Sequence, residues 1–254
     1  MSIDINAIKQ KLARLTKQGR NSIWKPTGEH TVRLVPTKEG DPFKERYFYY
    51  MFPSHPQGVI APSPTFGQPD PVAEFAAKLR QEGTPEARLQ AKLLNSRIRV
   101  FAPVIVRGEE GEGVRWWGFG KQVYEKLLNL ILDEDYGDIV DVNKGNDLKV
   151  SFQKSAPGKS FPTTDVMPKP KPSKLGDNAK QVEQWLANIP NLDDAFEVKT
   201  YDELKNMLER WLSSESSDTS QTDSNKSANR SEEHKDKIDD AFKELLTEDK
   251  DDDE

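Results

Sequence analysis

The sequence predicts a mixed fold: a β-rich core carrying helical insertions, followed by an acidic, disordered C-terminal tail. Three observations predict it. Short stretches rich in Val, Ile, Phe, Tyr and Trp alternate at period two between Gly/Pro clusters. Asp70-Pro71 and Thr84-Pro85 each set a capping side chain before a proline, the signature of a helix start. Past Leu212 apolar residues thin out and acidic ones take over.

Composition narrows the function classes. Of 254 residues, 34% are hydrophobic and 31% charged, an apolar share too low for a chain that is globular throughout. There is no cysteine, so a disulfide framework and a thiolate metal site are both excluded. His30, His55 and His234 lie far apart and form no ligand pattern. No apolar run approaches the ~18 residues of a membrane span, and MSIDINAIKQ is not a signal peptide, so a cytoplasmic protein is expected. The net charge of -6 is unevenly spread. Residues 1–20 hold five basic groups and one acid, whereas residues 213–254 hold 15 acidic and 6 basic residues, net -9. A basic head and an acidic tail point to a polyanion partner and a tail that competes with it.

The elements follow in order. Residues 3–18 read as an amphipathic helix, with Ile5, Ile8, Leu12 and Leu15 on one face and Lys9, Lys11, Arg14 and Lys17 away from it. Such a segment either docks on its own domain or grips a neighbour. HTVRLVPT and the aromatic run Tyr47–Phe52 read as strands. A proline-rich loop leads to helices from Pro71 to about Gln81 and from Pro85 to about Leu94. RIRVFAPVIV and VRWWGF, separated by RGEEGEG, read as a hairpin, and KQVYEKLLNLIL as the helix after it. DIVDVNKGNDLKVSFQK reads as a second hairpin turning at 143–147, and VMPKPKPSK as an extended connector. A helix over 179–188 precedes another opened by the capping box Thr200/Glu203 and running through Trp211. Within the tail, Ile238, Phe242, Leu245 and Leu246 fall at helical spacing among acids, the pattern of a segment that folds on a partner. The domain reading is thus an arm over 1–20, a core over 21–212 with a helical subdomain at about 62–95, and a tail over 213–254 with a partner-binding motif at 238–254.

The residues favour binding over catalysis. There is no Walker-type phosphate loop, HExxH pair or serine elbow, and Glu109, Glu110 and Glu112 sit in a mobile glycine-rich turn. No enzymatic activity is expected. Single strands of nucleic acid are held by cations along the phosphates and by rings that stack on bases, and the hairpin offers both. Alternation puts Arg97, Arg99 and Phe101 on one face, and turns one of Trp116 and Trp117 to the core and its neighbour outward. Two core tryptophans separated by a bulge is the competing reading. Tyr47, Tyr49 and Met51 share a face of the aromatic strand, either as a binding surface or as a half-buried sheet face.

The order of these features resembles the single-stranded DNA-binding proteins of T-even-type bacteriophages. TVRLVPTKEGDPF is similar to that family's first core strand. RIRVFAPVIVRG and VRWWGFGKQVYEKL are similar to its hairpin and Phe-Gly-Lys helix start. IPNLDDAFEVKTYDELKNMLERWL is similar to its last core segment, and the acidic tail completes the likeness. The resemblance implies a five-stranded oligonucleotide-binding (OB-like) barrel. It implies cooperative, sequence-independent coating of single-stranded DNA in replication, recombination and repair, in the cytoplasm of an infected bacterial host. It implies self-association through the basic arm, here Lys9, Lys11, Arg14 and Lys17. It also implies recruitment of replication and recombination proteins through the tail, here Phe242, Leu245 and Leu246. The family's zinc, held by one His and three Cys, is expected to be absent: the Cys-Pro-Val-Cys run is replaced by Asp70-Pro71-Val72-Ala73. On this reading Arg33, Arg46, Arg97, Arg99, Arg115 and Lys121 line the groove. Trp117 and Phe101, with Tyr47 or Tyr49, stack on bases. A replisome or transcription adaptor acting through its tail is the alternative.

Overall fold

The computed structural model describes residues 22–155 and 162–218. The arm residues Lys9, Lys11, Arg14 and Lys17 and the tail residues Phe242, Leu245 and Leu246 lie outside them. The strands are β1 (Ile23–Trp24), β2 (Gly28–Leu34), β3 (Lys44–Tyr49), β4 (Val59–Ile60), β5 (Arg97–Val106), β6 (Arg115–Phe119), β7 (Asn146–Gln153) and β8 (Thr163–Pro172). The helices are α1 (Pro62–Phe66), α2 (Pro71–Glu82), α3 (Pro85–Leu93), α4 (Lys121–Leu132), α5 (Ala179–Ala187) and α6 (Tyr201–Asp218). Contacts divide the chain into two units: residues 22–46 with 98–197, and residues 47–97 with 198–218.

The first unit is built on the strand path β1-β6-β5-β2-β7-β8. Strands β2, β5, β6 and β7 pair antiparallel in the spatial order fourth-first-second-third, a Greek key. β8 adds antiparallel beside β7, and the two-residue β1 runs parallel beside β6. Among the described pairings β1 and β8 are the free ends, so the sheet is open.

Alternation sends one side chain in two from every Greek-key strand into a single cluster. Val32 and Leu34, then Val100, Ala102, Val104 and Val106, then Trp117 and Phe119, Leu148 and Val150, and Val166 all meet there. α4 adds Val123 and Leu127 from one face, four residues apart. Each fully buried Val, Leu or Phe contributes about 1.5–3 kcal/mol. On the opposite face Val35, Ile105 and Val114 pack against Leu175, Val182 and Trp185. The last two come from α5, whose first turn is capped by the Asn178 side chain.

Two expectations change in this unit. Residues 138–145 form turns, not the first arm of a hairpin. The Asp138 carboxylate accepts from Val140 N–H, and the Asp141 carboxylate from Asn143 and Lys144 N–H, so side chains take the donors a ladder would need. Conversely, MPKPKP belongs to β8. Pro168, Pro170 and Pro172 are tolerated because β8 is an edge strand, whose outer backbone needs no partner.

The second unit is mainly helical. Its cluster gathers Val72, Phe75, Ala76 and Leu79 from α2, Ala87 and Ala91 from α3, and Leu204, Met207 and Leu208 from α6. β3 enters it paired with β4, in the register Phe48↔Ile60 and Tyr49↔Val59. The expected strand over 47–52 ends at Tyr49, because His55 N–H turns back to the Phe52 carbonyl and Gly58 N–H to the His55 carbonyl. Gly58 adopts φ +90°, and a Cβ there would lie 2.9 Å from the Tyr50 ring, so this turn requires glycine. The α2 and α3 starts use Asp70 and Thr84 as caps, and α6 opens on the reciprocal Thr200/Glu203 bonds.

Candidate nucleic-acid interface

The outer face of the β5–β6 hairpin starts at two exposed arginines. Arg97 and Arg99 occupy alternate positions of β5, and Arg99 Nη2 donates to the Gly118 carbonyl on β6 (3.1 Å). Gly118 faces Phe101 across the pair. A Cβ at Gly118 would lie 2.6 Å from the Phe101 ring, so the ring lies over bare backbone. Phe101 is only 3% exposed; the half-buried Phe196 meets it edge-on at 5.2 Å. One residue beyond β6, Gly120 opens α4 without a side-chain cap, and the first helical residue is the exposed Lys121. Its ammonium sits 3.4 Å from Glu125, one turn on. Arg99 and Lys121 therefore bracket the end of β6, where the uncapped helix start adds partial positive charge.

The other expected cations are engaged within the protein. Arg33 is fully buried and is no groove residue. Its guanidinium donates to the carbonyls of Ile139, Asp141, Asn146 and Ser173, with Asp147 at 4.0 Å. Burial lowers its pKa to about 10, so it remains charged at neutral pH. Arg46 donates through Nε and Nη2 to Asp193, both at 2.8 Å. Arg115, 13% exposed at its side chain, is paired with Glu109 at 2.6 Å.

The expected stacking rings are mostly interior. Trp117 is 0% exposed and belongs to the main sheet cluster, edge-on to Trp24 at 6.1 Å. Parity does split the tryptophan pair, but Trp116 is the one on the outer face. It is 1% exposed, donates from Nε1 to the Pro190 carbonyl (2.8 Å) and lies under Lys44 at 5.9 Å. The register carries a signal for this choice: Trp117 faces Ala102 across the hairpin, where a small partner leaves room for an indole. Tyr49 is a core residue of the second unit, 2% exposed, with its hydroxyl donating to Asp70 (2.9 Å). Burial first, and then the Asp70 charge, push its pKa upward. Tyr47 is half-buried against the same cluster.

Several features of the surface escaped the sequence. Arg107 binds Asp147 through Nε and Nη2 and also donates to the Lys174 and Leu175 carbonyls, anchoring 173–175 to the sheet. Lys169 and Lys171 are exposed on β8; the Pro-Lys alternation was visible, but not its place at a sheet edge. An open pocket of about 300 Å³ at the start of β6 is lined by Trp24, Lys25, His30, Glu109 and Arg115 among others. Among the described residues no group of three or more His, Cys, Asp or Glu is placed to hold a metal ion. At the start of α2 the Asp70 carboxylate accepts from Val72 and Ala73 N–H. No helix among the described residues is long and apolar enough to cross a membrane. No protein-family model matches the chain, and no curated protein matches it either.

Proposed function

We propose that this chain binds single-stranded DNA, with little sequence preference and without a catalytic step. The strand passes the exposed end of the β5–β6 hairpin, where β5 begins and β6 ends, since the rest of the outer face is covered. The observation that carries the reading is the set of solvent-facing cations there, Arg97, Arg99 and Lys121, beside the uncapped start of α4. The architecture supports it. The order β8-β7-β2-β5-β6 is that of the five strands of an OB-like barrel, whose closure would bring β8 towards the edge of β6 that β1 lines, and such barrels bind oligonucleotides on the second and third strands. β5 and β6 are those strands here. With Trp117 and Tyr49 in cores, phosphate contacts outweigh stacking in this version of the site.

We extend the proposal to cooperative coating of DNA in phage replication, recombination and repair, as the family resemblance implies. The basic residues of 1–20 then bind a neighbouring copy and the acidic tail binds other replication proteins. An adaptor that works only through its tail would lack the DNA contact.

Anisotropy of a labelled oligothymidylate, titrated between 50 and 200 mM salt, tests the reading. Three phosphate contacts give a slope of log K against log[salt] of about -2. The pair Arg99→Ala and Lys121→Ala should reduce the slope by about 1.4 and weaken binding, with the melting temperature unchanged. Absence of binding at 50 mM salt, or equal binding by the double variant, overturns it.

A further inference from the structure

The second unit presents an apolar stripe that its own core does not use. Helix α3 turns Ala87 and Ala91 inward, yet Leu89 is 63% exposed and Leu93 55% exposed. The two leucines are one turn apart on one face. Exposed Arg88 and Lys92 flank them, with exposed Glu86 one turn before Leu89, so the border carries a net charge of +1. We propose that α3 is a docking site for this chain's own acidic terminal segment, residues 238–254.

Three properties select that occupant. The first is charge. Residues 238–254 carry nine acidic and two basic residues, net -7, around Ile238, Phe242, Leu245 and Leu246. Those apolar residues recur at intervals of four, three and one, the spacing that lays a single face into a hydrophobic stripe. Residues 1–20, net +4, would meet like charge on α3. The second is discrimination. α4 also exposes a leucine pair, Leu128 at 36% and Leu132 at 79%. It is followed by Asp133, Glu134 and Asp135, which repel an acidic segment. The two leucine pairs thus differ in the sign of their border. The third is reach. α6 ends at Asp218 in the same unit as α3. The 20 residue steps from there to Ile238 cover up to about 65–70 Å when extended, ample for a small domain. Tethering presents the segment to α3 at roughly millimolar effective concentration.

Docked, the segment covers Leu89 and Leu93 with Phe242 and its neighbours and sets its carboxylates beside Arg88 and Lys92. The same apolar residues then cannot engage an outside partner, so such a partner competes with α3. This holds whether or not the first unit binds DNA.

The chain has no cysteine, so Ala241→Cys supplies a single attachment point for a nitroxide in the full-length protein. Amide NMR should show paramagnetic loss of signal at 85–93 and none at 128–132. Leu89→Ser with Leu93→Ser should restore those signals, as should Phe242→Ala; the leucines are exposed, so the melting temperature should not move. Isotope-labelled chain without nitroxide, mixed with spin-labelled chain, should show no loss. Signal loss in the mixed sample would assign the contact to a second copy and overturn docking on the same chain. Loss spread evenly over the protein, or loss that survives the leucine or phenylalanine substitutions, would overturn the site itself.

Discussion

Among the described residues each unit contains one fully enclosed charge that organises the loops around it, and the two are handled differently. Asp70, 1% exposed, sits at the start of α2 and accepts from Val72 N–H, Ala73 N–H, Ser63 N–H and the Tyr49 hydroxyl. Its Oδ1 takes the helix donors and its Oδ2 the other two, and the helix dipole favours its charge. Arg33, 0% exposed, is surrounded by carbonyl oxygens, with one carboxylate at 4.0 Å and a buried Nε that has no hydrogen-bond partner. Carbonyl dipoles return part of the lost hydration, but burial still lowers the Arg33 pKa. Asp70 is a local device, with two of its donors two and three residues away. Arg33 is a long-range one: its carbonyl partners lie 106 to 140 residues on in the chain. The anionic pin stabilises a helix start, and the cationic pin fixes the 138–146 turns and Ser173 on the sheet.

The contrast predicts a graded series of losses. Arg33→Ala should cost the most, about 3–5 kcal/mol in urea unfolding, because it strips several buried carbonyls of their donors at once. A loss under about 1 kcal/mol would show that the turns do not depend on this guanidinium. Asp70→Ala should follow at about 3 kcal/mol, combining a lost cap with the unpaired Tyr49 hydroxyl. Asp70→Asn should recover at least half, since an asparagine oxygen also caps; if it does not, the charge matters more than the geometry.

Gly145→Ala sharpens the Arg33 side alone. A Cβ at Gly145 would collide with both terminal guanidinium nitrogens of Arg33 and with the Ile139 carbonyl. The expected cost is about 2 kcal/mol, and it should not add to that of Arg33→Ala because both act on the same contacts.

Tyr49→Phe gives the smallest effect, about 1 kcal/mol near neutrality. It carries a pH signature. The folded pKa of Tyr49 is raised, so above about pH 10 the unfolded chain loses this proton before the folded one does. Stability that is fully present below that pH falls as pH rises through it. Urea midpoints measured at pH 9 and pH 11 should fall further for the parent than for Tyr49→Phe. Parallel curves would remove Tyr49 from the alkaline transition.

The same separation between near and distant partners explains which expectations the folded chain met. The starts of α2, α3 and α6 were legible because a cap acts within three residues of itself. Alternation in β2, β5 and β7 was legible because each strand's own backbone sets the parity. The outward-facing Arg97 and Arg99 follow from that parity near the open end of β5. Trp117 did not: alternation says that neighbours part, but what covers each face is contributed by Ala102 across the hairpin and by Pro190, far along the chain.

The sequence by itself therefore determined the helix starts, the strand parities, the break in composition beyond Leu212 and the supply of cations on the hairpin. Only the tertiary structure decided that Arg33 serves the interior, that Trp116 and Trp117 are both enclosed, that 138–145 turns instead of pairing, and that a proline-lysine stretch becomes a sheet edge. Short-range hydrogen bonds and backbone periodicity are written in adjacent residues. The burial of a given side chain depends on which distant segment lies over it, and that is set by packing the whole chain at once.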